Sequence, residues 1–141
     1  MRVQIRNQQG LKKIRISKIR KKIEKALDVL GVKEEVSFLF CDNKFMKGLN
    51  KSFFNKESPT DVIAFPLKDN YIPQFLGEVV ISVEEVLKNS KIYHTSFLEE
   101  LLLCSIHGIL HLLGFKDVSF KEKREMYREQ ERVLKLIKDD C

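Results

Sequence analysis

The sequence has few cysteines and no long apolar run, and both shortages exclude classes of protein. Its three cysteines, Cys41, Cys104 and Cys141, are an odd number and show no CxxC spacing. We therefore expect free thiols and no disulfide framework. No run of eighteen apolar residues is present, so no transmembrane helix is expected. The opening stretch MRVQIRNQQG lacks the apolar segment of a secretory signal, which predicts a cytoplasmic protein.

Proline and glycine are also scarce, and nowhere do they gather with serine into a linker. The chain has three prolines and six glycines in 141 residues, without repeats or low-complexity segments. This predicts a single domain spanning residues 1–141. Positive charge is plentiful, since 26 lysines and arginines against 20 aspartates and glutamates give a net charge of +6. The excess favours a polyanionic partner, either a nucleic acid or an anionic membrane surface.

Apolar periodicity predicts a mixture of strands and helices. Strands are predicted at 2–6, 35–40, 60–66 and 76–82, with a polar loop containing one proline between the last two. Helices are predicted at about 17–30, 43–50, 83–93, 97–113 and from 120 onward. The last helix should bury a stripe of Met126, Val133, Leu134 and Ile137. Strands mixed with helices indicate an α/β or α+β layer fold.

Polar residues at the predicted helix ends indicate where each helix begins or stops. Ser17 is expected to begin the first helix and Asp42 the second. Gly114 is placed to end the fourth helix in the left-handed conformation. Three capping boxes are predicted, formed by Ser82 with Glu85, Ser96 with Glu99 and Ser119 with Glu122.

Two of the three histidines lie four residues apart on the predicted fourth helix, in the stretch SIHGILHLLGFKD. At about 100° per residue, His107 and His111 project from one face, so both imidazoles can reach one ion. Gly114 lets the chain turn back so that Asp117 supplies a third ligand, leaving an open position as in catalytic zinc sites. The HxxxHxxGxxD pattern favours a metal site over histidines that only satisfy local hydrogen bonds.

Gly108 stands where zinc proteases have a glutamate that acts as general base. A glycine inside a helix costs about 1 kcal/mol relative to alanine, which indicates a neighbour packed close to the backbone. If the site is hydrolytic, the candidate base is Glu100, within about 20° of His107 around the helix. Glu100 is equally compatible with holding a histidine tautomer. Cys104, one turn before His107, is a rival ligand less favoured than Asp117, because such a cysteine usually belongs to the core.

Three segments occur in the order found in the YbeY family of bacterial endoribonucleases, which this chain resembles. They are LNKSFFNKESPTDVIAFP at 49–66, LGEVVIS at 76–82 and HGILHLLGFKD at 107–117, followed by the tail EMYREQERVL. The resemblance implies a mixed sheet of about four strands flanked by helices. It implies a cytoplasmic, zinc-dependent, single-strand-specific endoribonuclease with one zinc ion, acting on RNA and the ribosomal small subunit. Maturation of the 16S rRNA 3′ end and ribosome quality control are the implied roles.

Two of these segments depart from the family pattern. The family usually reads HGxLHLxGYDH, so in this chain Asp117 stands where a third histidine ligand is usual. A carboxylate ligand makes the ion a weaker Lewis acid and admits harder metals. This chain also has Phe54 and Asn55 where the family usually has an arginine followed by glycine. That arginine is the expected phosphate contact, so Lys51 or Lys56 would have to supply its charge.

The residues expected to act on RNA follow from this combination. Zinc held by His107, His111 and Asp117 would lower the pKa of a bound water and polarise a phosphoryl oxygen. We therefore predict catalytic roles for His107 and His111, with Glu100 as the base. RNA contacts are predicted for Lys18, Lys21 and Lys22 in the basic segment 11–26, and for Lys51, Lys56, Thr60 and Asp61.

The sequence is also compatible with purely structural roles for the residues predicted to contact RNA, and with two other classes of function. The lysines of the basic segment could be a solvated helix face, and Thr60 and Asp61 ordinary turn residues after Pro59. The chain could be a non-catalytic, metal-containing RNA-binding assembly factor or, less favoured, a metalloprotease. The missing glutamate argues against the protease. Three protein ligands argue against a purely structural metal site, because such a site normally has four protein ligands. The structural interpretation would be favoured if Cys104 were a fourth ligand.

Overall fold

The computed structural model describes residues 2–67 and 74–138, which form four strands and five helices. The strands are β1 (Val3–Asn7), β2 (Glu35–Cys41), β3 (Val62–Pro66) and β4 (Phe75–Ser82). The helices are α1 (Ile16–Val29), α2 (Asn43–Phe54), α3 (Val83–Tyr93), α4 (Phe97–Leu112) and α5 (Phe120–Ile137). Each predicted element is found near its expected position. Most of the loop predicted between β3 and β4 lies outside the described residues.

The four strands form one mixed sheet in the order β1-β2-β4-β3. β1, β2 and β4 are parallel, whereas β3 is antiparallel to β4 and lies at the edge. This arrangement confirms the predicted α/β fold with a mixed sheet of about four strands flanked by helices. The edge position of β3 matters for function, because α4 packs against β3 and β4 and carries the histidine pair there.

Alternation along the central strands gives the sheet two apolar faces. Phe38 and Val79 belong to the larger core, which also contains buried residues of α1, α3, α4 and α5. Leu39 and Val80 face the other way and pack with Met46 of α2 in a smaller core. Both central strands are therefore covered on two sides, which explains why their sequences read as nearly continuous apolar runs.

The last helix has the predicted cap and the predicted buried stripe. Ser119 and Glu122 form a complete capping box, in which each backbone N–H donates to the other residue's side chain. The hydrogen bond that the Ser119 backbone N–H donates to the carboxylate lowers the pKa of Glu122. The carboxylate therefore stabilises α5 at pH values above the ordinary glutamate pKa, and this contribution is lost as the pH falls through the lowered value. The stripe comprises Met126, Val133, Leu134 and Ile137, all buried.

The other two predicted capping boxes form only their serine half. Ser82 and Ser96 each accept a hydrogen bond from the backbone N–H of the residue three positions on, Glu85 and Glu99. The Glu99 carboxylate is instead paired with Lys138 at 3.3 Å. Among the described helices, the reciprocal glutamate bond is made at α5 alone.

The prediction that Ser17 begins the first helix is wrong. α1 begins at Ile16 after Arg15, which makes no side-chain capping bond. Ile14 and Ile16 pack against the larger core. Burial of these apolar side chains, rather than a hydroxyl cap, sets the start of α1.

α2 continues past its predicted end at Asn50 to Phe54. Asn55 then adopts the left-handed conformation with a φ of 54°, which ends the helix. Asn50 is buried, and its side-chain amide donates to the carbonyl of Ser58 at 2.6 Å. The loop after α2 is thereby tied to the helix that it follows.

Two of the predicted free thiols are observed. Cys41 and Cys104 are buried and unbridged, and Cys141 lies outside the described residues. Burial raises the pKa of Cys41 to about 12. Within residues 2–67 and 74–138, none of the helices combines the length and the hydropathy needed to cross a bilayer.

Candidate metal centre

The turn that ends α4 brings the three predicted ligands together. Gly114 has a φ of 100°, and its N–H donates to the carbonyl of His111 at 3.0 Å. This left-handed turn, predicted from the sequence, reverses the chain. As a result, Asp117 Oδ2 lies 3.6 Å from His107 Nε2 and 3.4 Å from His111 Nε2.

These three side chains have a spacing that suits a single metal ion. The Nε2 atoms of His107 and His111 are 3.0 Å apart, and all three potential ligand atoms lie within 4.8 Å of one another. Tetrahedral ligands at about 2.0–2.1 Å from zinc are about 3.3–3.4 Å apart, which is close to the separations observed here. The side chains of His107, His111 and Asp117 are 26%, 29% and 42% exposed, so solvent can reach a fourth coordination position. The group could hold one metal ion with an open site.

Gln130 of α5 orients the first of these histidines, a contact that the sequence did not predict. His107 Nδ1 lies 2.5 Å from Gln130 Oε1. An amide oxygen only accepts, so Nδ1 must carry the proton, and the lone pair is left on Nε2. That nitrogen is the one facing His111 and Asp117. Gln130 therefore holds His107 in the tautomer that binds a metal.

Replacing Gln130 by leucine is expected to weaken metal binding by about ten- to a hundredfold, because outer contacts of this kind fix ligand orientation. Competition with a chromophoric chelator measures the affinity, and circular dichroism checks the fold. Glu131→Gln is the matched control, since Glu131 is the neighbouring, exposed residue of the same helix. Equal affinities in the Gln130→Leu variant and the wild type would remove Gln130 from the site.

Gly108 packs directly against the sheet, as its position inside a helix predicted. A Cβ at this position would lie 2.4 Å from Val79 Cγ1 and 3.3 Å from Val62 Cγ2. Val79 is fully buried in β4, and a close-packed core resists movement of such a side chain. A glutamate could not be accommodated at Gly108, so this position cannot supply the base of a zinc protease.

Gly108→Ala is expected to lower the free energy of unfolding by about 1–3 kcal/mol through overpacking against Val79. Gly48→Ala is the matched control, because Gly48 lies in α2 with nothing within 4 Å of its Cβ position. That substitution should raise the free energy of unfolding by about 0.5–1 kcal/mol through helix propensity. Urea denaturation measures both. If both alanine substitutions raise the free energy of unfolding, Gly108 does not pack closely against Val79.

Glu100 lies in a polar cavity of about 290 Å³ that it shares with His107. Asp61, Cys104 and Gln130 line the same cavity. Glu100 is 6% exposed, and its carboxylate accepts a hydrogen bond from the Thr95 hydroxyl at 2.6 Å. It is therefore a buried carboxylate beside the metal centre rather than a surface group, as the role of a base requires. Gln130 occupies the Nδ1 atom of His107, so the structure does not support the alternative that Glu100 holds the tautomer of this histidine.

Cys104 faces Asp61 and is not part of the metal group. Its Sγ lies 3.8 Å from Asp61 Oδ2. Burial, and secondarily the Asp61 carboxylate, raises the pKa of Cys104 well above its ordinary value. Among the described residues, the side chains close enough together to share one ion are those of His107, His111 and Asp117, and Cys104 is not among them. The geometry gives no fourth protein ligand among the described residues, and the site stays open.

A second, larger groove of about 600 Å³ also borders the metal centre. His111 and Asp117 line it together with Phe54, Lys56 and Thr60. The groove follows β3, the edge strand. The structure thus places two of the predicted RNA contacts, Lys56 and Thr60, beside two of the predicted metal ligands.

Lys51 and Asp61, also predicted to contact RNA, lie outside this groove's lining. Lys51 Nζ is 3.9 Å from Glu57, and both side chains are more than two-thirds exposed, so their ion pair contributes little. Asp61 points to the cavity of Glu100 and accepts a hydrogen bond from Asn89 at 3.4 Å. Thr60 and Asp61 therefore line two different cavities beside the metal centre.

The basic segment of α1 lies away from the metal centre. Lys18 lines a small cavity with Phe97, at the opposite end of α4. His107 is ten residues further along that helix, a distance of about 15 Å. The prediction for Lys22 is wrong, because its side chain is 4% exposed and donates to the carbonyl of Ile137 at 2.8 Å. Lys18 and exposed Lys21 stay predictions, and any RNA that they contact must extend beyond the groove.

Comparison with known proteins gives one consistent family. A family model described as Endoribonuclease YbeY matches residues 4–138. A protein of Carboxydothermus hydrogenoformans named Endoribonuclease YbeY is 38% identical over 102 residues, 72% of this chain and 71% of the relative. A Bacillus pumilus protein of the same name is 34% identical over 135 residues, 86% of this chain and 85% of the relative. The family match includes every predicted site residue.

The fold also matches a solved structure. The solution structure of a protein from Thermotoga maritima has a TM-score of 0.71 with this chain at 26% identity. The likeness covers 98% of this chain and 90% of the other. The similarity therefore extends over the sheet, all five helices and the turn that carries Asp117.

Proposed function

Because the chain belongs to the endoribonuclease YbeY family, we propose that it is a metal-dependent enzyme that cleaves single-stranded RNA. Membership confirms the resemblance read from three sequence segments, and it places the chain among the nucleases, which are hydrolases. One observation carries the metal dependence: His107, His111 and Asp117 form a group that could hold an ion, and two of them, His111 and Asp117, line an open groove.

The ion that we assign to this group is one zinc. Two imidazole nitrogens and one carboxylate oxygen are ligands that zinc accepts, and three protein ligands with an open position are typical of catalytic zinc. The carboxylate of Asp117 also suits harder ions, but the two imidazoles favour zinc over magnesium or calcium. The exposure of all three side chains supports an ion that substrate can reach.

The proposed natural substrate is ribosomal RNA, at the 3′ end of the small-subunit 16S rRNA, with ribosome quality control as the wider role. The ribosomal small subunit is then the partner and the cytoplasm the compartment. The family resemblance supports these assignments. The net charge of +6 supports a polyanionic partner.

In this mechanism the chain's own residues position RNA and move a proton. When bound, the ion lowers the pKa of water and polarises a phosphoryl oxygen. Lys56 supplies positive charge in the groove, where it can hold a phosphate. Gln130 keeps the His107 lone pair on Nε2. Glu100 is the proposed acceptor of the proton from the attacking group, either water or the RNA 2′-hydroxyl.

The two alternative functions have less support. A protease would need a general base that Gly108 cannot supply, since a side chain there would meet Val79. A purely structural metal site would normally have four protein ligands, and Cys104 is directed to Asp61 instead. An assembly factor that binds RNA without cleaving it differs from the proposed enzyme in one measurable property, the cleavage of RNA.

Incubation of zinc-loaded protein with end-labelled RNA tests the proposal. Single-stranded RNA should be cut internally and a duplex of the same sequence should persist. The His111→Ala variant, purified in parallel, should leave both intact, which excludes a contaminating nuclease. Equal cleavage by His111→Ala and wild-type protein, or binding without cleavage by both, would overturn the proposal.

A further inference from the structure

Two exposed phenylalanines and a half-buried one form an aromatic ridge at the edge of the sheet. The aromatic ridge consists of Phe53, Phe54 and Phe65. Phe53 is 63% exposed and Phe54 49%. The Phe54 ring stacks on Phe65 with centroids 6.4 Å apart and planes inclined by 27°, while Phe53 meets Phe65 edge-on at 5.3 Å. Clustered exposed aromatic surface is unfavourable in water, and such patches commonly mark binding sites.

Phe54 connects this ridge to the metal centre. It lines the same groove as His111, Asp117 and Lys56. Its position is fixed from two sides, because Phe65 supports its ring and the left-handed Asn55 turns the chain directly after it. A supported ring with a free surface in a charged groove is the arrangement on which flat ligands stack.

We propose that Phe54 is a stacking platform for one nucleobase of the RNA bound in the groove, with Lys56 contacting a phosphate of the same strand. This inference rests on the proposed function. Phenylalanine has no hydrogen-bond donor and cannot hold a phosphate, so what it offers to RNA is the face of its ring. Proteins that bind single strands combine these two elements, stacking aromatics and backbone-contacting cations.

The platform gives a physical reason for choosing single strands. A base inside a duplex already stacks on its neighbours and cannot reach a protein ring, whereas an unpaired base can. Every base has an aromatic face, so contact with Phe54 should tolerate all four bases. The structure assigns to Phe54 a role in selecting single-stranded over double-stranded RNA, and no role in selecting a base sequence.

Binding of an oligoribonucleotide series tests this assignment. The probes are fluorescent, 2′-O-methylated single strands, checked to be intact after each titration, with one abasic position moved along the strand. Zinc-loaded wild-type protein should lose about tenfold in affinity when the abasic position meets Phe54. Phe54→Ala should bind the complete strand about tenfold more weakly and be insensitive to that abasic position.

Two further variants control for indirect effects. Phe54→Trp should retain the wild-type affinity and the sensitivity to the abasic position, because indole also stacks. Tyr127→Ala removes an aromatic ring that is 62% exposed and lines a different cavity on α5, and it should bind like the wild type. Metal content and circular dichroism should be unchanged in all three variants, because the replaced side chains are exposed.

The outcomes separate this proposal from the function on which it rests. If Phe54→Ala binds as tightly as the wild type, or loses affinity for every abasic probe equally, Phe54 is not a platform, while RNA cleavage would stand. If wild-type protein binds none of the strands, both proposals fail. If Phe54→Ala binds RNA normally but no longer binds a protein partner, the ridge is a protein interface and the stacking role is overturned.

Discussion

The Asp117→Ala variant is expected to lose most of its bound metal and to cleave RNA at least about a hundredfold more slowly. Asp117 Oδ2 lies within 3.6 Å of both histidine Nε2 atoms, so its removal leaves two ligands. The residue follows the Gly114 turn and is partly exposed, so little packing is lost with its carboxylate. Metal content by atomic absorption and the rate of RNA cleavage, measured on one preparation, give the two effects.

Two matched variants show whether the effect belongs to the ligand. Asp117→His should retain the metal, because imidazole is an equally good zinc ligand. Lys116→Ala removes an exposed charge from the neighbouring position and should leave metal content unchanged. A full complement of metal in Asp117→Ala would show that this carboxylate is not a ligand.

The Glu100→Gln variant is expected to reduce turnover by about a hundredfold while its metal content stays intact. Glu100 is buried in the cavity that reaches His107, and glutamine keeps its shape and its ability to accept from Thr95. The substitution removes the negative charge and, with it, the ability to take up a proton. Single-turnover cleavage of RNA measures the chemical step.

Glu99→Gln is the natural control for that experiment. Glu99 is the adjacent carboxylate and is paired with Lys138, away from the cavity. It should show wild-type turnover. If Glu100→Gln loses metal or stability instead of turnover, Glu100 is a structural group, and if it behaves like Glu99→Gln, the proton acceptor lies elsewhere.

Patterns within short stretches predicted most of the fold. The apolar stretches EVSFLF and LGEVVIS predicted β2 and β4, and three serines predicted the starts of α3, α4 and α5. Ser17 failed because contact of Ile14 and Ile16 with the core outweighed local capping. Lys22 failed because α1 packs against α5, whose end gives its ammonium a buried carbonyl partner. The spacing of residues within α1 carries no information about this contact with α5.

The metal centre, like the fold, could be predicted from the sequence only where its residues are close together in the chain. His107, His111 and Asp117 are close in sequence, so helix periodicity and one glycine were enough to place them together. Gln130 is 23 residues from His107 and reaches it through the packing of α5 on α4. Its only local signal was the tail segment that resembles the family. The aromatic ridge also depends on tertiary structure, since Phe54 and Phe65 meet only when α2 lies beside β3.

Titration of metal-free protein with zinc, with bound metal and RNA cleavage followed together, tests the central claim most directly. That claim is that the His107, His111 and Asp117 group binds the ion on which RNA cleavage depends. Both signals should rise in parallel and saturate at one zinc per chain, and a His107→Ala, His111→Ala double variant should give neither. Undiminished cleavage by the metal-free protein, or full zinc binding by the double variant, would contradict the claim.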